Sequence, residues 1–74
     1  MSTTFRTPPP PAWLVPGVRV RDVATDGVGV VVLLQDATAE VSTRRIRRPV
    51  RALLRAECWG GPLWWAPVAD LVTV

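Results

Sequence analysis

Val18-Arg-Val-Arg-Asp-Val23 alternates apolar and polar residues, and Asp26-Gly27 with the run Val28 to Leu34 follows almost at once. A period of two is the pattern of a half-buried strand, and Asp-Gly is a strong hairpin pair because Gly tolerates positive φ. The β-branched run disfavours a helix, and Gly29 within it suggests a bulge or a close backbone approach. At 74 residues there is room for one small domain built outward from this antiparallel pair.

The rest of the chain extends the pattern. Pro16-Gly17 marks a turn before the first strand, and Asp36-Ala-Thr-Ala39 is a loop. Glu40 to Ile46 reads as a third strand. Residues 49–57 read two ways. A helix would start with Pro49 and place Val50, Leu53 and Leu54 on one side; a strand would turn Val50, Ala52, Leu54 and Ala56 inward and Arg51, Leu53, Arg55 and Glu57 outward. The lack of a capping side chain at Arg48 and the turn signal Trp59-Gly60-Gly61-Pro62 favour the strand. Leu63 to Ala66 returns as a short strand, Pro67 to Leu71 fits one 3₁₀ turn, and Val72 to Val74 closes the chain. The expected fold is all-β, with four to five short antiparallel strands closing into a small bent barrel. The domain is expected over 13–74. Residues 1–12, with Pro8 to Pro11, form a Pro-rich tail expected to be extended or disordered.

Composition narrows the possible functions. Hydrophobic residues make up 49% and charged residues 20%, too apolar a mixture for disorder throughout. One cysteine and no histidine exclude an intramolecular disulfide and a Cys/His zinc site, leaving a small core without the usual staples. No apolar run approaches the roughly 20 residues of a spanning helix, and the N-terminus lacks a signal-peptide pattern. A soluble, cytoplasmic protein with Cys58 reduced is the expectation. Without His, Lys or Tyr the common general bases are missing, and Cys58 has no His to activate it. The aspartates Asp22, Asp26, Asp36 and Asp70 fall at turns or strand ends, where carboxylates accept backbone N–H bonds. The reading is therefore non-enzymatic: no catalytic residues, no cofactor, no metal and no small-molecule substrate.

Pro16-Gly17-Val-Arg-Val-Arg-Asp22 followed by Asp26-Gly-Val-Gly-Val-Val31 resembles the opening of SH3-like barrels of the KOW and Tudor kind. Trp65-Ala-Pro-Val-Ala-Asp-Leu71 is similar to their 3₁₀ turn before the closing strand. The run from Pro16 to Val74 also resembles short actinobacterial proteins with a G-x-G-V strand, a Leu-Arg strand, a Gly-Gly turn and a Trp. The resemblance implies an SH3-like barrel. Where KOW modules carry a basic residue in the first turn, this chain has Thr25-Asp26, and a fold so widely reused carries no function by itself.

Two features point to partners. Arg44, Arg45, Arg47, Arg48, Arg51 and Arg55 place six charges in twelve residues, whereas the other three arginines face six acids, so the remainder of the chain is net negative at −3. Such a patch suits phosphates, with Trp59, Trp64 or Trp65 as a stacking face for unpaired bases; it serves equally as a solvated loop or as the match to an acidic protein. Apolar residues also stand on both faces of the second strand, with Val31 and Leu33 opposite Val30, Val32 and Leu34, and the neighbours Trp64 and Trp65 must point opposite ways. A strand apolar on both faces needs cover on both. The expected interface is Val31, Leu33, Leu53 and Trp64, rimmed by Arg51 and Arg55, and the expected partner is a second copy or another protein. Nucleic-acid binding through the Arg44–Arg55 stretch is the alternative.

Overall fold

The computed structural model describes residues 11–57 and 61–74. Its elements are β1 (Arg19–Asp22), β2 (Gly27–Asp36), β3 (Val41–Ser42), β4 (Pro49–Ala56), β5 (Leu63–Pro67), a 3₁₀ turn (Val68–Asp70) and β6 (Leu71–Thr73). All strands join one antiparallel sheet in the order β5-β4-β2-β1-β6, and β3 pairs with β2 off this path. The all-β class and the 3₁₀ turn ahead of the last strand are as expected, and 49–56 is strand. No helix among the described residues is long and apolar enough to cross a membrane. The expected Pro-rich tail, apart from Pro11 and Ala12, lies outside the described residues, as do Cys58 and, in the expected hairpin tip, Trp59 and Gly60.

One core fills the inner face of the bent sheet: Leu14, Val20, Val31, Leu34, Ala52, Leu54, Ala66 and Leu71, with Trp13, Val18, Ile46, Trp64 and Val68 packed against it. Leu14 reaches it because the entry segment folds into a turn, its N–H donating to the Pro11 carbonyl at 3.0 Å. Gly17, at φ +96°, then redirects the chain into β1 from a conformation that suits glycine. On β4 the expected alternation holds for Ala52 and Leu54, which are fully buried, while Val50 is exposed. Gln35 pairs with Arg51 and Asp36 with Pro49, so Val50 is an extra residue, and such a bulge turns a side chain out of phase.

A second bulge corrects the reading of β2. Val31 pairs with Leu54 and Leu33 with Leu53, leaving Val32 unmatched. The extra residue resets the phase, so Val31 and Leu34 point inward and Leu33 points outward. Val31 is 1% exposed and belongs to the core, not to the outer surface assigned to it from the sequence. The third strand is also shorter than Glu40 to Ile46. It ends at Ser42, whose Oγ accepts the Arg44 N–H at 3.0 Å and turns the chain away, so that Arg44 to Arg48 run as a loop pinned by Ile46 against the core.

The β1–β2 hairpin also departs from a two-residue Asp-Gly turn. Its loop is Val23 to Asp26, and the residue with positive φ is Asp26, at 60°. Gly27 already belongs to β2 and pairs with Asp22. Asp22 Oδ1 accepts the Ala24 N–H at 3.1 Å and Thr25 Oγ1 accepts the Gly27 N–H at 3.2 Å; these local bonds stabilise the longer loop. Gly27 is required for another reason.

Candidate interaction surface

Trp64 and Trp65 do point opposite ways, but in the reverse sense to the expectation. Trp64 is half-buried against the core, whereas Trp65 is 43% exposed. The inward position of Trp64 follows from its register with Leu54, which in turn faces Val31. From β5 its indole crosses the inner face of β2 and donates Nε1–H to Asp22 Oδ2 on β1, at 3.0 Å. A Cβ on Gly29 would sit 2.7 Å from the Arg55 carbonyl oxygen and 3.0 Å from the ring; one on Gly27 would sit 3.3 Å from the ring. The glycines of Gly27-Val-Gly29 thus make room for a tryptophan. Asp22, 2% exposed, is the one buried charged residue among those described. Trp64 and the Ala24 N–H satisfy its two oxygens, and no buried side-chain polar atom among the described residues lacks a partner. A carboxylate with a donor on each oxygen in this way joins strands. Asp-Gly-Val-Gly in the sequence was a signal for this arrangement, since two glycines at i and i+2 clear one face of a strand.

The outer face of the sheet carries the apolar row. Leu33 on β2 pairs with Leu53 on β4, and Leu53 with Trp65 on β5. Cross-strand partners share a face, so these three side chains form one line leading to the edge of the sheet. Leu33 and Leu53 are half-buried in it. The next row is Val30, Arg55 and Leu63, and the row on the other side is Gln35, Arg51 and Pro67. Of the residues assigned to an interface from the sequence, Leu33 and Leu53 are therefore together on the outer face. Val31 and Trp64 are inside, and Trp65 and Leu63 stand in their place.

Electrostatics on this face are one-sided. Arg19 pairs with Glu57, and Arg21 lies 3.7 Å from Asp26. Arg51 and Arg55 have no acidic partner among the described residues, and Arg44, Arg45, Arg47 and Arg48 are all exposed on the β3–β4 loop. The six charges read as one run in the sequence thus divide between a loop and the outer face of β4. At the other end of β2, Asp36 Oδ1 collects the Thr38 hydroxyl at 2.6 Å, the Thr38 N–H at 2.9 Å and the Glu40 N–H at 3.1 Å. The Thr38 hydroxyl bond, with help from the two N–H groups, holds its carboxyl below the usual aspartate value. This is a self-contained turn.

Other chemistry is sparse. A shallow groove beside Trp64 is lined by Thr25, Gly27, Val28, Ala56, Glu57 and Pro62, and its one carboxylate, Glu57, is already paired with Arg19. No group of three metal-ligating side chains occurs among the described residues. No protein-family model matches the sequence, and neither the curated proteins nor the solved structures contain a match to it.

Proposed function

We propose that this chain is a non-enzymatic interaction module that self-associates through the apolar row on the outer face of β2, β4 and β5. The observation that carries it is the unbroken line Leu33–Leu53–Trp65, ending at an exposed tryptophan on an edge strand with Leu63 beside it. Aromatic residues with flanking arginine are the types enriched at protein interfaces, and a domain this small has little core to spare for decoration. The 3₁₀ turn before the closing strand and the hairpin opening support kinship with SH3-like barrels, a scaffold that is used for binding in many settings. Light scattering on a concentration series tests the reading: a dimer is expected, and Trp65→Ser is expected to shift it toward monomer. A wild-type chain that stays monomeric at every concentration refutes it.

Nucleic-acid binding is a second reading, favoured by one observation: Arg51 and Arg55 lie without acidic partners on either side of the row that ends in exposed Trp65. Stacking on the indole with phosphates on the arginines is the arrangement used for unpaired strands. A mobility shift that weakens with salt, is lost when Arg51 and Arg55 become Ala and is reduced when Arg44, Arg45, Arg47 and Arg48 become Ala supports this reading. Absence of a shift with single-stranded DNA and RNA at low salt removes it.

A further inference from the structure

Self-association through this face raises a charge problem. Laying one outer face on another would bring Arg51 and Arg55 of both copies together, and Glu57, two residues from Arg55, is held by Arg19. Like charges set opposite each other are destabilising. The edge of the sheet offers a way round this.

The hydrogen-bond phase of β5 follows from two bonds. Ala56 N–H donates to the Pro62 carbonyl at 3.1 Å, and Glu57 N–H donates to the Val28 carbonyl at 3.4 Å. Antiparallel pairs alternate between bonded and non-bonded positions, so Ala56 and Leu54 bond toward β5 while Arg55 and Glu57 bond toward β2. On β5, Trp64 and Ala66 therefore spend their backbone groups on β4. Leu63 and Trp65 point their N–H and C=O groups away from the sheet, where no strand pairs with them among the described residues. Pro67 has the same phase but has no N–H to offer. The side chains of Leu63 and Trp65 are 56% and 43% exposed, so this edge is both unpaired and apolar.

From this we infer that two copies join β5 to β5 in antiparallel fashion, with Leu63 of each bonded to Trp65 of the other. This rests on the self-association reading and specifies where it occurs. Two-fold symmetry makes the match reciprocal: the two amides and two carbonyls of each edge meet their counterparts in four hydrogen bonds. Centring the pair on Trp65 instead would set the Leu63 carbonyl against Pro67, which cannot donate. In the matched register Trp65 packs against Leu63 of the second copy on the outer face, extending the row Leu33–Leu53–Trp65 across the junction. The β4 strands then lie three strand spacings apart, about 14 Å, beyond the roughly 8–10 Å screening length at moderate salt. The arginines no longer oppose one another.

The experiment compares Leu63→Pro with Leu63→Ala by sedimentation equilibrium, together with amide hydrogen exchange on the wild-type chain. Both substitutions remove the leucine side chain, but only proline removes an N–H, one that no intrachain bond uses. Proline deletes two of the four inter-copy bonds and is expected to weaken the dimer about 30-fold more than alanine, about 2 kcal/mol. The Leu63 and Trp65 amides are expected to gain protection as concentration rises through the dimer transition. A dimer with equal Leu63→Pro and Leu63→Ala constants, or with both amides unprotected at high concentration, overturns the edge while leaving self-association standing. A wild-type monomer throughout overturns both.

Discussion

Replacing Trp64 with Phe tests the inner architecture directly. Phenylalanine keeps a ring over Gly27 and Gly29 but deletes the donor to Asp22 Oδ2, which lies 3.0 Å from the indole nitrogen on a side chain only 2% exposed. The other oxygen retains the Ala24 N–H, so one carboxylate oxygen is left in the interior without a partner. Hydrogen bonds to charged groups contribute about 1.5–3 kcal/mol, and an orphaned buried acceptor costs a similar amount. The expected loss is therefore about 2–3 kcal/mol. At roughly 0.05–0.15 kcal/mol per residue, a domain of this length holds only about 4–11 kcal/mol in total, so the urea midpoint followed by far-UV circular dichroism should fall by about a fifth or more. Asp22→Asn and the double variant complete a thermodynamic cycle, and the coupling is expected to exceed about 1 kcal/mol, as for residues in direct contact. A Trp64→Phe loss below about 0.5 kcal/mol with no coupling to Asp22 would show that the indole–carboxylate bond does not tie β5 to β1.

Gly29→Ala should destabilise by about 1–3 kcal/mol, because the new Cβ meets the Arg55 carbonyl at 2.7 Å, and backbone cannot swing aside; an unchanged melting temperature would contradict the close approach. Asp36 has a depressed folded pKa, so its turn contributes stability that is present above the unfolded-state value and lost as pH falls through the folded one. Thr38→Val removes the leading cause, and NMR titration should show the Asp36 carboxyl rising toward the ordinary value; no change would assign the shift elsewhere. Trp65→Ser removes a partly exposed ring and its cross-strand pairing with Leu53, and is expected to cost the monomer no more than about 1 kcal/mol while weakening the dimer; a larger loss of monomer stability would place Trp65 in the fold instead.

How much of this was legible in the sequence depends on where the period of two survives. It survives in β1 and along most of β4, so the inward set Val20, Ala52 and Leu54 and the outward set Arg51, Leu53 and Arg55 could be read directly. It fails at Val32 and Val50, each an extra residue in a bulge. A bulge leaves little mark in a run such as Val30-Val-Val-Leu-Leu34, because every phase of a uniformly apolar segment looks alike. Only the neighbours in space, Leu53 and Leu54 on β4, determine which of Val31 and Leu33 is buried. Length was equally hidden at β3, where Thr43 to Arg45 have side chains compatible with an edge strand and a single Ser42 hydroxyl ends the pairing.

The glycines and tryptophans show a different limit. Gly29 was visible as an exception in a strand and Gly27 as a turn residue, but the reason for both lies on β5, more than thirty residues away. The choice between Trp64 and Trp65 could not be made from adjacency, which says only that they oppose each other. It is made by Asp22, the one buried charged side chain among the described residues: a buried tryptophan needs a partner for its nitrogen, and a buried carboxylate needs donors for its oxygens. Each satisfies the other, so Trp64 turns inward and Trp65 is left outside by elimination. The exposed position of Trp65 is therefore a consequence of how the core is closed, and its line with Leu53 and Leu33 follows from the register that closure imposes. If the proposed self-association holds, binding and stability separate between adjacent residues, with Trp64 variants expected to act on folding and Trp65 variants on association.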